Sequence, residues 1–298
     1  MQGNNRIATR KGYGMRYILS PRLRSISLKG SVVGGLALWL GSFACNQPAS
    51  TPPPALPESP WGGRYAYAYE LPGNIPRATA GSVPITIAVV NPSYRETDSA
   101  LASPLYSGVG KGLSLSMGTD LDKILIAKGV TTTGPFASID EITYSEKKGA
   151  DLTLAPKVFI AAEYKQGEFQ QVPGADRQES RFELNVTGWV TFIMQEPMTG
   201  EKMWIKKLEI EPVQSTGIIA QEVIAQYSNT GGCGGPQFVG YQQGKMLLDG
   251  RADAMATALK QIYPVVLERF YKYLETEEMV QLKGKSQEIR ASKVYNAN

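Results

Sequence analysis

Residues 188–210 leave little freedom in what this chain folds into. Val190, Phe192 and Met194 alternate with Trp189, Thr191 and Ile193. That is the period of a strand whose successive side chains face opposite ways. The run stops at Glu196-Pro197-Met198-Thr199-Gly200-Glu201, where Pro197 and Gly200 suit a tight reversal, and residues 203–210 run back. The pattern predicts a β-hairpin. Glu196 and Glu201 flank its turn. As catalytic carboxylates they would need a cleft and a perturbing environment, which the sequence does not supply, so they read as polar turn ends.

Further strands are predicted on either side. Residues 64–71 alternate Tyr65, Tyr67 and Tyr69 against Arg64, Ala66, Ala68 and Glu70, a period-two row. The tyrosines suit an aromatic platform for a sugar ring, but they read first as one face of a half-buried strand. Residues 84–90, 152–161 and 182–186 are the other expected strands, the first of them apolar enough to be central. Two long helices are expected. In residues 101–128, Leu113, Met117, Leu121, Ile124 and Leu125 recur at helical spacing, with an irregular first half and Gly129 as the C-terminal cap. From Asp249, a plausible N-cap, Ala252, Met255, Leu259, Ile262, Val266, Phe270 and Tyr273 form a second stripe, with a kink expected at Pro264. Asp140 and Glu141, near Lys147 and Lys148, read as a solvated face. Residues 216–245 read as an irregular loop around the Gly-rich run 231–236, with Cys233 accessible in it. That run matches neither GxGxxG nor a Walker lysine-serine.

The first 63 residues address the chain rather than fold it. Residues 36–45 are apolar, follow a basic segment and end in small residues and Cys45, the layout of a bacterial export signal. Residues 31–44 are too short to span a bilayer, which takes about 20 apolar residues. Ser42 and Ala44 also suit the ordinary signal peptidase, so both readings cut before Cys45 and differ over its lipid. The expectation is acylation of Cys45, with a soluble exported protein as the alternative. Asn46 leaves sorting to the outer membrane open, and Met15 offers a second start. Residues 47–60 are rich in Pro, Ser, Thr and Ala and form a tether.

Seven basic residues and no acidic ones lie in residues 1–44, so their removal takes the net charge from +4 to −3. A mildly acidic mature chain argues against nucleic acid as a partner. The chain has no histidine. That removes the commonest general base and zinc ligand and every Ser-His or Cys-His arrangement, and points away from hydrolytic enzymes. No cofactor and no metal site is expected. With Cys45 acylated, Cys233 is left single.

Residues 144–148, the turn 196–201, Asp253-Ala254-Met255 with Ala258-Leu259 and Ile262-Tyr263, and Leu282-Lys283-Gly284-Lys285 together resemble the neuraminyllactose-binding hemagglutinin family. These lipoproteins are also called flagellar-sheath adhesins. The resemblance covers residues 64–285 and implies a lipid-anchored outer-membrane protein with an α/β domain and no enzymatic activity. The family's Lys/Arg-rich heptapeptide, proposed to bind sialic acid, is absent. Its region, residues 167–183, holds only Arg177 and Arg181, either of which can in principle pair with a sialate carboxylate.

The expected organisation is a signal peptide at 1–44, an acylated cysteine and tether at 45–63, one α+β domain at 64–285 and an exposed tail at 286–298. The domain is expected to be a mainly antiparallel sheet with two principal helices packed on it. The expected function is a non-catalytic attachment or sheath component of the outer membrane. It would be held by its N-terminal lipid, with protein partners in the envelope and a glycan as a possible ligand. The alternative is a structural or assembly lipoprotein that docks onto an envelope or flagellar machine.

Overall fold

The hairpin expected at 188–210 is the spine of the sheet, and it is far longer than the alternation implied. The computed structural model describes residues 65–73, 77–94, 98–228 and 237–295, all within one compact unit. The export signal, Cys45, the tether, Cys233 and the Gly-rich run lie outside the described residues. In chain order the strands and helices are β1 (Thr86–Val90), α1 (Ser107–Ala127), β2 (Thr131–Phe136), α2 (Tyr144–Gly149), β3 (Leu152–Leu154) and β4 (Lys157–Gln166). There follow β5 (Gln170–Gln171), β6 (Arg177–Gln195), β7 (Lys202–Ser228), β8 (Gln237–Asp249), α3 (Arg251–Tyr273) and α4 (Thr276–Tyr295).

The sheet runs β2-β1-β3-β6-β7-β8, and β4 and β5 continue the edge of β6 that β3 begins. Among the described strands the parallel ladders are β1 with β2 and with β3, beside one isolated parallel bridge from Ser93 to Lys157, so the sheet is mainly antiparallel and the fold is α+β. What was expected as one strand at 152–161 is two, β3 and β4, separated at Ala155-Pro156 because proline cannot donate to a ladder. The strand β2 had no expectation at all. Its Thr-Thr-Thr-Gly-Pro-Phe sequence has no alternation to read.

The helical stripes hold except at the ends of the second, where Ala252 is only half-buried and Tyr273 is exposed. Leu113, Met117, Leu121, Ile124 and Leu125 of α1, and Met255, Leu259, Ile262, Val266 and Phe270 of α3, are all buried in one core with the inner face of the sheet. Val190, Phe192 and Met194 of β6 face that core, where Phe192 stacks on Phe270 with ring centroids 4.2 Å apart. Two short 3₁₀ turns, Ala100–Ala102 and Pro104–Tyr106, precede α1, so the irregular part ends at Tyr106 and the Ser- and Gly-containing stretch from Ser107 is already helical; Gly129 follows α1 with φ +85°. Pro264 lies inside α3 on its exposed side and does not end it. The helix starts after Gly250 rather than Asp249. Asp249 instead ends β8 and pairs with Arg251 at 2.6 Å.

Two expectations are corrected. Residues 65–71 are extended but join no sheet. The N–H of Tyr67 donates to Ser116 Oγ at 3.0 Å and that of Tyr69 to Asp120 Oδ2 at 2.9 Å, so the segment is laid along α1. The tyrosine face was read correctly, since Tyr67 is buried, but its partner is a helix. Residues 216–228 and 237–245 are not a loop. They are the distal half of β7 and most of β8, paired from Ile219↔Asp249 to Ser228↔Gln237. The segment 286–295 continues as helix rather than as a loose tail, with the side chains of residues 287–293 exposed or half-buried. It belongs to α4, where Ser286 is buried and donates to the carbonyl of Asp151 at 2.7 Å.

Candidate functional site

Glu196 stands where the hairpin turns, and the structure shows more than the polar turn end it reads as. Its side chain is fully buried, and Arg290 Nε of α4 donates to its Oε1 at 2.6 Å. The N–H of Thr199 donates to Oε2. Burial pushes the Glu196 carboxyl up, but the bond from Arg290 and those from the backbone of Met198 and Thr199 outweigh it and hold the group below the ordinary glutamate range. The same guanidinium donates to the carbonyls of Ala150 at 2.6 Å, Lys148 at 3.3 Å and Lys147 at 3.4 Å. Those are the carbonyls that end α2, and a cation is favoured there by the helix's polarity. At the other end of α2, Thr143 and Glu146 form a capping box, and the Thr143 bonds hold the Glu146 carboxyl low. The turn 196–201, the α2 segment 144–149 and α4 therefore meet at one corner. Two of the stretches that carry the family resemblance, 144–148 and 196–201, come together there, and a third, 282–285, lies earlier on the same helix.

On α4 the docking residues are Lys283, Ser286 and Arg290, spaced three and four apart on one helical face. Lys283 donates to the carbonyl of Pro84 at 2.6 Å and pairs with Asp151 at 3.2 Å. This polar stripe escaped the sequence reading because it was sought as an apolar one. Asp120 escaped for the mirror-image reason. It sits in the apolar stripe of α1, nearly fully buried, and accepts from the Tyr263 hydroxyl at 2.7 Å, the Tyr69 N–H and Lys123 Nζ at 2.8 Å. Burial, and then the bond to Asp120, raises the Tyr263 phenol above the ordinary tyrosine range.

The other carboxylates weighed from sequence serve local structure. Glu141 caps the N–H of Ala137 at 3.0 Å, Asp140 shares its short 3₁₀ turn, and exposed Glu201 lies 3.5 Å from Lys293. Of the two arginines before the hairpin, Arg177 pairs with Glu179 at 3.1 Å. Arg181 makes no ion pair among the described residues. It lines an open groove of about 590 Å³ that crosses β4, β6 and β7. Register places Lys165, Glu183 and Thr216 side by side on the solvent face, with Arg181 beside Ile218 on the same face. Phe182 closes the floor from the core side, its ring so near Gly217 that any side chain there would collide with it. Such a groove carries two cations, a carboxylate and a hydroxyl. It can hold a carboxylate-bearing or polyhydroxyl ligand reversibly, and it offers no nucleophile-base pair.

These elements form one α+β domain, a mainly antiparallel sheet with its principal helices packed on it. The chain belongs to the neuraminyllactose-binding hemagglutinin family, whose model, described as neuraminyllactose-binding hemagglutinin precursor, matches residues 120–293. The match begins at Asp120 and ends three residues past Arg290, so it takes in both buried carboxylate centres. No curated protein sequence matches the chain. Among solved structures it is similar to a neuraminyllactose-binding hemagglutinin homolog from Helicobacter pylori, with 14% identity, 72% of this chain and 97% of that chain covered, and a TM-score of 0.46. It is also similar to lipoprotein GNA1162 from Neisseria meningitidis, with 16% identity, 50% and 89% covered and a TM-score of 0.23. A minor lipoprotein from Acinetobacter baumannii gives 12% identity, 63% and 87% covered and a TM-score of 0.20.

Proposed function

We propose that this chain is an outer-membrane lipoprotein, anchored through an acylated Cys45, that serves surface attachment or the flagellar sheath without catalysing a reaction. The observation that supports this most is the family match across residues 120–293, which includes the α2, turn and α4 stretches that meet at Arg290. Among the described residues no helix is long and apolar enough to cross a membrane, so an N-terminal lipid is the anchor this reading requires. The groove at Lys165 and Arg181 is the contact surface proposed for an acidic glycan. It stands near the place of the missing heptapeptide but draws its cations from two neighbouring strands.

Intact mass of the mature protein from detergent-solubilised membranes, with its N-terminal peptide sequenced, tests the anchor. A start at Cys45 carrying acyl mass is expected, and an unmodified Cys45 overturns the anchoring. Surface labelling of whole cells then tests attachment, because a protein unreachable from outside cannot serve it. Binding of sialyllactose that is lost in Lys165→Ala and Arg181→Ala is the expected result for the groove, and retention in both variants refutes it.

A further inference from the structure

Beyond Arg177↔Glu222 the strand β6 no longer pairs with β7. The N–H of Val223 still donates to the carbonyl of Asp176 at 2.9 Å, but Ile224 to Ser228 pair only with β8, which among the described residues has no strand on its outer side. This is a two-stranded arm, a construction that is marginal in water unless something covers it. Its surface is unusual for this chain. From Val223 to Gly244 there is not one charged residue in 22 positions, in a sequence that is 19% charged. The register also splits the arm. Tyr227 faces Phe238 and Ala225 faces Tyr241, so Ala225, Tyr227, Phe238 and Tyr241 share one face, with Gln243 and the buried Val223 at its root. The three rings touch, with centroids 6.0 and 4.9 Å apart, yet stand 62%, 52% and 64% exposed. The opposite face carries Gln226 and Gln242, joined by a 2.8 Å hydrogen bond, with Gly240, Ser228, Gln237 and a single large apolar side chain, Ile224.

We infer that this arm lies in the interface of the bilayer that anchors the chain, aromatic face down and glutamine face to water. The identity of that bilayer rests on the anchoring proposed above. A protein partner is favoured less, because specific interfaces carry polar and charged rims and this arm presents no charge. Tyrosine and phenylalanine rings settle where hydrocarbon meets headgroups. Spanning is disfavoured, because the outer edge of β8 leaves backbone donors and acceptors that hydrocarbon cannot satisfy. The reach agrees. Tyr65 donates to Asp253 at 2.9 Å in the first turn of α3, directly after β8, so the domain's N-terminal end sits at the root of the arm. The 13 residues of β8 extend about 40 Å. The 19 residues between Cys45 and Tyr65 span up to about 70 Å, enough for the lipid to enter the plane that the arm touches.

The test uses the mature chain with Cys45→Ser, which removes the lipid and leaves Cys233, between β7 and β8, as its single thiol. An environment-sensitive fluorophore on Cys233 is mixed with vesicles of phosphatidylethanolamine and phosphatidylglycerol. A blue shift that high salt does not abolish is expected. The triple variant Tyr227→Gln, Phe238→Gln, Tyr241→Gln should partition about tenfold or more weakly while melting at an unchanged temperature. No blue shift, or equal partitioning of the triple variant, overturns the inference. So does a self-associated species that the triple variant dissolves while vesicles leave the label unmoved, since the arm then covers itself with a second copy. Acylation of Cys45 is read separately by mass, so either idea can fail while the other stands.

Discussion

Replacing Arg290 by methionine isolates the contribution of α4 to the fold. The substitution keeps a long apolar stem and removes the guanidinium, leaving Glu196 fully buried with donors only from its own turn, the Met198 and Thr199 backbone and the Thr199 side chain. It also frees three carbonyls at the end of α2. Breaking a buried pair from one side costs about 3–5 kcal/mol, and because the Arg290 side chain is 25% exposed, water softens this to about 2–3 kcal/mol. For the roughly 230 residues from Tyr65 to Tyr295, unfolding entropy near Tm is about 0.5 kcal/mol per degree, so Tm should fall by about 4–6 °C. Scanning calorimetry at neutral pH measures it. The pH dependence has a definite sign. The folded Glu196 carboxyl is held low, so its contribution is present above the unfolded glutamate value of about 4.3 and is lost as pH falls through the lower folded one. The gap between wild type and Arg290→Met should therefore hold from neutral pH to about 5 and narrow below about 4. The double variant with Glu196→Gln should lose less than the sum of the single losses. A Tm for Arg290→Met within about 1 °C of wild type, or strict additivity in the cycle, would refute the coupling.

In Gly112→Ala the new methyl would sit 1.8 Å from the Tyr65 carbonyl, so residues 65–71 must lift from α1. The expected cost is about 1–3 kcal/mol, and limited proteolysis should cut that segment first, whereas an unchanged cleavage pattern would show that it is not packed as described. Tyr263→Phe removes one of three donors to Asp120 and should cost about 1–2 kcal/mol; Asp120→Ala, which strands the Tyr263 hydroxyl, should cost more, and denaturant melts rank the two. Alkaline absorbance titration should leave the Tyr67 and Tyr263 phenols protonated at a pH near 10 where exposed tyrosines ionise, since burial raises both. Their ionisation before unfolding would contradict that burial.

The stripes of α1 and α3 and the alternation of β6 were legible because each element buries one continuous face, and burial writes its period directly into the residue types. The arm was not legible for the complementary reason. From Ile224 to Ser228 and from Gln237 to Gly244 neither face of the ribbon enters the core, so glutamine, glycine and tyrosine alternate without the apolar contrast that marks a strand, and the stretch reads as a loop. Tyr65, Tyr67 and Tyr69 show the limit of a correct pattern. Period two reports an extended chain with one face covered, and it does not say whether a strand or a helix supplies the cover.

The sequence alone determined the class of this protein: the antiparallel hairpin, the two principal helices and the family resemblance are properties of short stretches and their periods. Tertiary structure decided the environments. Glu196 and Glu201 flank one turn five residues apart, yet one is buried against Arg290 and the other lies in solvent. That difference comes from a helix arriving from 94 residues away. A carboxylate's chemistry depends on the dielectric and the donors around it, and chain-distant elements supply both.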